Sequence, residues 1–381
     1  MAYFDNAATT YPKPDDVYSF MNEFYRQCGG NVGRGDYGIA KSAGELVADT
    51  RARLQNLLHC PAKQVIFTPT ATIALNIILQ GLREMGMKNF YISPFEHNAV
   101  TRTLHHFENL GRIKVHQLSV TSDLKYDLEK IRYQFDDCKP DVVVVSHASN
   151  VIGLIAPAAE IFDLAKAYSS YTVLDMSQTA GLVDCDVGRN TFDFAVFAGH
   201  KTLYGPTGIS GFIMKPDINL PPVLFGGTGY DSANQDMPDS LPEKYEMGTS
   251  NIAGIAGLNA ALQWNQKIGI QNIFEHEQKN RKKLLEILSQ YDFITIVGNA
   301  SAQQYVGIVS CLFDGISSDI AGSLLSEHGV SVRTGLQCAP LAHKFLGTYP
   351  AGTIRFSVGH FTSEEDYNAL TNALDYIDQN I

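Results

Sequence analysis

The feature that most constrains this chain is a rhythm running from residue 64 to residue 214, in which short runs rich in β-branched and aromatic residues alternate with longer amphipathic stretches. The short runs lie at 64–68, 89–92, 113–118, 141–146, 171–174, 192–197 and 209–214, and helical spacing occupies 71–85, 100–110, 127–135 and 156–168 between the first five. Strands alternating with helices form βαβ units, which build a mostly parallel sheet covered on its faces. The run Val142, Val143, Val144, Val145 does not alternate apolar with polar, as expected of a strand buried on both sides. At 216–239 the rhythm stops: proline, glycine and aspartate accumulate and predict a long loop. Beyond it, 251–288 reads as helical. Strands near 293–297, 306–311, 330–333 and 354–358, with helices near 318–327 and 363–377, predict a smaller α+β unit. The expected fold class is α/β, with a boundary near residue 250.

At 381 residues the chain is long enough for two domains or one large one. Its 29 Lys and Arg against 40 Asp and Glu give a net charge of −11, which argues against nucleic acid or an anionic membrane as a partner. No run approaches the roughly 18 apolar residues of a membrane span. Asp5 and Asn6 interrupt the first hydrophobic stretch, so no signal peptide is expected and a cytoplasmic location is. The six cysteines (28, 60, 138, 185, 311 and 338) are too scattered for a disulfide framework. Neither C-x-x-C nor H-E-x-x-H occurs, so no metal site is expected.

Chemistry concentrates at the ends of the predicted strands. Gly199-His200-Lys201-Thr202 resembles a P-loop only superficially, because His200 stands where glycine must precede the lysine and position 195 is alanine. A lysine is usually a solvated cation. Lys201, however, sits between glycines after an apolar strand, where desolvation lowers an amine's pKa and makes it a nucleophile toward aldehydes. Asp175 ends the strand at 171–174, at the ligand edge of an open α/β sheet, although a cap or turn residue would look the same. An aldehyde-reactive lysine with a carboxylate partner for a pyridinium nitrogen is what pyridoxal 5'-phosphate (PLP) requires. A phosphate could rest at the helix start formed by Thr70, Ala71 and Thr72, unless Thr70 is simply an N-cap. His97 could lie against a ring and shuttle protons, or be an ordinary surface or core histidine.

With these residues in place, the chain resembles fold-type I PLP enzymes of the class V aminotransferase family, and within it the cysteine desulfurases and selenocysteine lyases. The resemblance runs nearly end to end. It is carried by Phe4-Asp5-Asn6-Ala7-Ala8-Thr9-Thr10, Asn31-Val32-Gly33-Arg34-Gly35, residues 67–76, Glu96-His97, Ser146-His147-Ala148-Ser149-Asn150, residues 175–178 and 199–208, Gly248-Thr249 and Arg333-Thr334-Gly335-Leu336-Gln337-Cys338. It implies a large PLP-binding domain over 15–250 with a mostly parallel seven-stranded sheet, a smaller α+β domain over 251–381, and an N-terminal segment, 1–14, packing with the latter. It also implies that Lys201 holds the cofactor covalently, Asp175 partners the ring nitrogen, His97 stacks on the ring, and Gln178 and Asn150 lie near the ring hydroxyl. Thr72 and His200 match phosphate ligands, and Thr249 matches one supplied by the other subunit of a homodimer. Arg355, with Asn150, Arg333, Arg34 and Asn6, falls to the substrate; a guanidinium suits the bidentate clamping of a carboxylate.

The desulfurase reading rests on Cys338. Most cysteines are inert buried residues, and the other five receive that reading. Cys338 lies in a loop containing Gly, Gln and Pro, five residues after Arg333, where a cation favours thiolate, and it falls where the family keeps its nucleophile. The Arg-Thr-Gly-x-x-Cys-Ala form resembles the second desulfurase group, with a short cysteine loop and often a dedicated sulfur-acceptor protein. Ala198, Gly33 and Gln337 depart from the pattern, replacing a phosphate-binding serine and two histidines. The expected reaction converts L-cysteine to L-alanine, with sulfur passed to Cys338. The rivals are selenocysteine lysis, another class V aminotransferase or β-lyase reaction, and a non-catalytic dimeric sulfur-relay or regulatory module.

Overall fold

Side chains alternate across a strand, and the four valines at 142–145 show what that does here. Val143 and Val145 enter one apolar cluster, Val142 and Val144 another on the opposite face, and all four are fully buried. Each such side chain contributes roughly 1.5–3 kcal/mol relative to leaving it in water. The computed structural model describes residues 1–30, 32, 37–229 and 233–380.

The chain opens with β1 (Ala2–Tyr3), α1 (Asp15–Cys28) and α2 (Gly38–Leu57). The βαβ region follows: β2 (Gln64–Thr68), α3 (Ala71–Glu84), β3 (Asn89–Ile92), α4 (Asn98–Asn109), β4 (Lys114–Gln117), α5 (Leu128–Asp137), β5 (Val142–Ser146), α6 (Ala158–Lys166), β6 (Tyr171–Asp175), β7 (Phe194–Ala198) and β8 (Ser210–Met214). After the long loop come α7 (Ile252–Ile268), α8 (Ile270–Leu288), β9 (Ile294–Val297), β10 (Ile308–Phe313), α9 (Ser318–Glu327), β11 (Val330–Ser331), β12 (Arg333–Gly335), α10 (Pro340–Phe345), β13 (Thr353–Ser357) and α11 (Glu364–Asn380).

The large sheet has seven strands in the order β2-β8-β7-β6-β5-β3-β4. Only β8 runs against its neighbours; β7, β6, β5, β3 and β4 pair in parallel. The C-terminal ends of β2, β3, β5, β6 and β7 therefore open on one edge, where ligands of open α/β sheets bind. A second sheet, β12-β13-β10-β9, is antiparallel and carries its own cluster, which also takes in Ala2 and Phe4 from the N-terminus.

Besides the short β1 and α10, which the sequence reading leaves unassigned, the structure differs from the sequence expectation in three places. The helical stretch at 251–288 is two helices, broken at Gly269, whose φ of +87° favours glycine. The strand expected at 330–333 is two short ones: β11 pairs with β1, whereas β12 pairs with β13. The helices α1 and α2, before the βαβ rhythm, add to the expected set and pack on α7. Among the described residues no helix is long and apolar enough to cross a membrane.

Glu277 of α8 is a buried carboxyl that accepts the Gly307 N–H at 2.7 Å, and burial pushes its pKa up from 4.5 to about 7. The folded chain thus keeps a proton that the unfolded chain has released between those values. Stability from this group is complete below about pH 4.5 and is lost as pH rises toward 7. Glu277→Gln keeps the acceptor oxygen and removes the charge. Its unfolding free energy relative to the unsubstituted protein should improve by about 2 kcal/mol more at pH 8 than at pH 5. Denaturant titrations at the two pH values measure this, and an equal difference at both would refute it.

Candidate active site

Five strand ends build one cavity of about 270 Å³, lined by Ala71, Thr72, His97, Asn150, Asp175, Gln178, Ala198, His200 and Lys201, among others. After β2, Thr70 caps α3 by accepting the Ile73 N–H at 3.2 Å, while Ala71 and Thr72 face the cavity at the helix N-terminus. Capping and ligand binding are therefore compatible here. After β3, His97 caps α4: its Nδ1 accepts the Ala99 N–H at 3.0 Å, so the neutral ring carries its proton on Nε2. Burial and then the charge of Lys201 hold the His97 pKa below its ordinary value, against the pull of Asp175.

At the end of β6, Oδ1 of Asp175 accepts both the N–H of Ser177 at 2.9 Å and its hydroxyl at 2.5 Å. Beyond β7, Gly199 lets the chain turn: a Cβ there would lie 2.4 Å from the Ile209 carbonyl oxygen. Lys201 follows, its pKa brought down to about 8 by burial, with Asp175 opposing. The His200 carbonyl accepts from the Thr10 N–H at 3.1 Å and from Lys13 Nζ at 2.7 Å, which ties the N-terminal segment to the lysine-bearing turn.

Around this cavity the structure gathers residues from the far end of the sequence. Asn150 donates through Nδ2 to the Gln337 carbonyl at 2.6 Å, and its own carbonyl accepts from Arg355 Nη1 at 2.9 Å. The Cys338 carbonyl accepts the Asn98 N–H at 2.7 Å, which sets the exposed cysteine next to the His97 turn. Arg355 is buried and ion-paired with Asp5 at 2.8 Å, and the other oxygen of Asp5 holds Arg333 at 3.0 Å. Asn6 lies close by, donating to the Ser357 carbonyl at 3.0 Å. Gln178 donates to the Ala7 carbonyl at 2.9 Å.

Not every expected residue joins the cavity. Thr249 is exposed and lines a separate cavity beside Phe67, Thr68 and Pro69. Arg34 lies outside the described residues. Of the cysteines read as inert, Cys60 and Cys311 are buried, whereas Cys28, Cys138 and Cys185 are only half-buried.

Some residues in contact with the site have roles that no local pattern assigns. Asp5 balances two arginines more than 300 positions away, and its only sequence signal is a carboxylate inside an apolar N-terminal motif. Lys13, between two prolines, has its pKa brought down to about 7 by burial. Glu96, fully buried, accepts from Ser93 Oγ at 2.6 Å and Ser146 Oγ at 2.8 Å, and burial pushes its pKa up to about 7.

The donor set fits pyridoxal phosphate. Two buried polar atoms of the cavity, His200 Nδ1 and Asn150 Oδ1, have no hydrogen-bond partner among the described residues, and unsatisfied buried groups call for a ligand. A carboxylate, an amine of lowered pKa and a helix N-terminus stand in the same space, matching a ring nitrogen, an aldehyde and a phosphate.

A seven-stranded α/β sheet with a lysine and an aspartate at its ligand edge defines an enzyme class, and comparison agrees: the aminotransferase class-V model matches residues 2–370, and the chain belongs to that family of PLP enzymes. A protein of Haloferax volcanii named cysteine desulfurase is 30% identical over 384 residues, covering 98% of this chain and 89% of that one. A probable cysteine desulfurase of Methanothermobacter thermautotrophicus is 29% identical, covering 98% of this chain and 94% of that one. The solved apo structure of a cysteine desulfurase from Thermococcus onnurineus superposes with a TM-score of 0.91 at 26% identity, covering 100% of this chain and 95% of that one.

Proposed function

We propose that this protein is a PLP-dependent cysteine desulfurase that converts L-cysteine to L-alanine and retains the sulfur as a persulfide on Cys338. The observation that carries the reading is the docking of the Cys338 loop on the lysine cavity, with the Gln337 carbonyl on Asn150 and the Cys338 carbonyl on Asn98. A binding module would need neither an amine of lowered pKa nor an accessible thiol beside it.

Within this reading Thr72, Ala71 and His200 would hold the phosphate, Asp175 would pair with the ring nitrogen, Gln178 and Asn150 would take the ring hydroxyl, and His97 would stack on the ring. The cofactor, when bound, acts as an electron sink that acidifies the substrate's Cα–H and weakens its Cβ–S bond. Lys201 removes the Cα proton, for which a pKa near 8 leaves a usable share of neutral amine at physiological pH. The Cys338 thiolate attacks the substrate sulfur, forming an S–S bond as the Cβ–S bond breaks. The electron pair left on the carbon skeleton takes up a proton at Cβ and Lys201 returns the proton to Cα, so cysteine plus thiol gives alanine plus persulfide, balanced without an external oxidant. The Nε2–H of His97 serves the proton transfers.

Arg355, aided by Arg333, Arg34 and Asn6, takes the substrate carboxylate. Its Nε has no partner among the described residues, while Nη1 and Nη2 are held by Asn150 and Asp5. Arg355→Lys keeps the charge opposite Asp5 but loses the planar fork, so KM for L-cysteine should rise roughly tenfold or more with a smaller loss in kcat. Steady-state kinetics decide this, and an unchanged KM would remove Arg355 from substrate binding. The reading also includes a cytoplasmic homodimer, in which the exposed Thr249 serves the second subunit's phosphate site, and an acceptor protein that collects sulfur from Cys338.

The test is alanine release from L-cysteine with a reductant present, with and without a 2-oxo acid. Equal alanine and sulfide without the acid supports the desulfurase. Turnover that requires the acid indicates a transaminase instead.

A further inference from the structure

Gln337 and Cys338 are consecutive non-glycine residues in the left-handed region, with φ of +39° and +57°. Such a backbone persists only where its surroundings over-determine it. Here the buried side chain of Gln337 provides the anchor. Its Nε2 donates to the Thr353 carbonyl at 3.0 Å, and its Oε1 accepts from Thr353 Oγ1 at 3.3 Å and from His343 Nε2 at 2.8 Å. An amide oxygen only accepts, so His343 must carry its proton on Nε2, and its Nδ1 then accepts the Thr348 hydroxyl at 2.7 Å. Burial, which leaves His343 fully enclosed, brings its pKa down to about 4, so one neutral tautomer persists across the working range. The chain Thr348–His343–Gln337 thus ends on the peptide whose carbonyl meets Asn150, one residue before the thiol.

We infer that Gln337 and His343 are positioning residues that hold the Cys338 thiol at the mouth of the lysine cavity, so that sulfur transfer depends on them while substrate binding and Cα-proton removal do not. The inference rests on the desulfurase reading for its kinetic consequence. Neither residue touches substrate or cofactor; both act through the backbone of the loop.

The test uses the full-length holoenzyme carrying His343→Leu. Removing the shorter of the two buried hydrogen bonds to the Gln337 oxygen should lower kcat for alanine formation on the order of tenfold. KM for L-cysteine should stay unchanged, as should the rate at which L-alanine exchanges its Cα proton with D2O, followed by NMR. Amide hydrogen exchange should quicken on the order of tenfold in the peptide spanning 336–342 and stay unchanged over 171–175. His343→Gln, which offers an amide N–H to Gln337 and a carbonyl to Thr348, should restore most of kcat. Should His343→Leu fail to fold, Thr348→Val removes only the hydroxyl donor and should give the same split at smaller amplitude. An unchanged kcat, or a parallel fall in kcat and Cα-proton exchange, would overturn the inference. Wild-type enzyme that forms no alanine would sink the desulfurase reading instead, and the local hydrogen exchange would still show whether His343 orders the loop.

Discussion

Cys338→Ala should lose sulfur transfer altogether, with alanine formation from L-cysteine falling on the order of 10³-fold or more, because a covalent nucleophile has no substitute at its position. The fold should not notice. Cys338 is exposed, its structural contact is a backbone carbonyl that alanine retains, and alanine meets the same cost at φ of +57° as cysteine. The visible band of the bound cofactor should survive, since the cavity residues are untouched. The variant therefore separates two roles, cofactor binding by the strand ends and sulfur capture by the loop. Retained desulfurase activity would remove Cys338 from the chemistry.

Lys201→Ala should have the other large effect. It removes the covalent hold on the cofactor and the base for the Cα proton together, and a positioned base alone contributes up to about 10⁴-fold in rate. Alanine formation should fall at least that far, and the cofactor should wash out on gel filtration, which absorbance measures directly. A further readout is independent of turnover. After burial, the charge of Lys201 is the largest influence holding the His97 pKa down, so His97 should titrate at higher pH in the apo variant, as NMR of its ring protons can show. A variant that retains turnover would contradict the assignment of Lys201.

The parts of the site that could be read from sequence are those encoded locally. Lys201, Asp175, His97 and Thr72 each sit within a few residues of a strand end, and strand ends are legible wherever apolar runs give way to Gly, Pro or Thr. The order of strands and the reversal of β8 depend on pairings that no local pattern carries. The second helix was legible in principle: Ala40, Ala43, Val47, Thr50 and Leu54 form a buried stripe at helical spacing. So was the first, where Val17, Phe20, Met21, Phe24 and Cys28 repeat at helical spacing on its one buried face. Residues 330–333 read as one strand because Val330 and Val332 are β-formers; the split follows from two partners, β1 on one side and β13 on the other. The Asp5–Arg355–Arg333 cluster and the support beneath Cys338 join residues brought together only by the finished fold.

The central claim is that sulfur leaves L-cysteine at the Lys201 cavity and arrives on Cys338. The most direct measurement is a single turnover of the PLP-loaded protein with limiting L-cysteine and no reductant, followed by alanine quantification and peptide mass spectrometry. The account predicts one persulfide per alanine, carried by the peptide containing Cys338. Alanine formed with Cys338 unmodified, or a persulfide on any of the other five cysteines in its place, would contradict it.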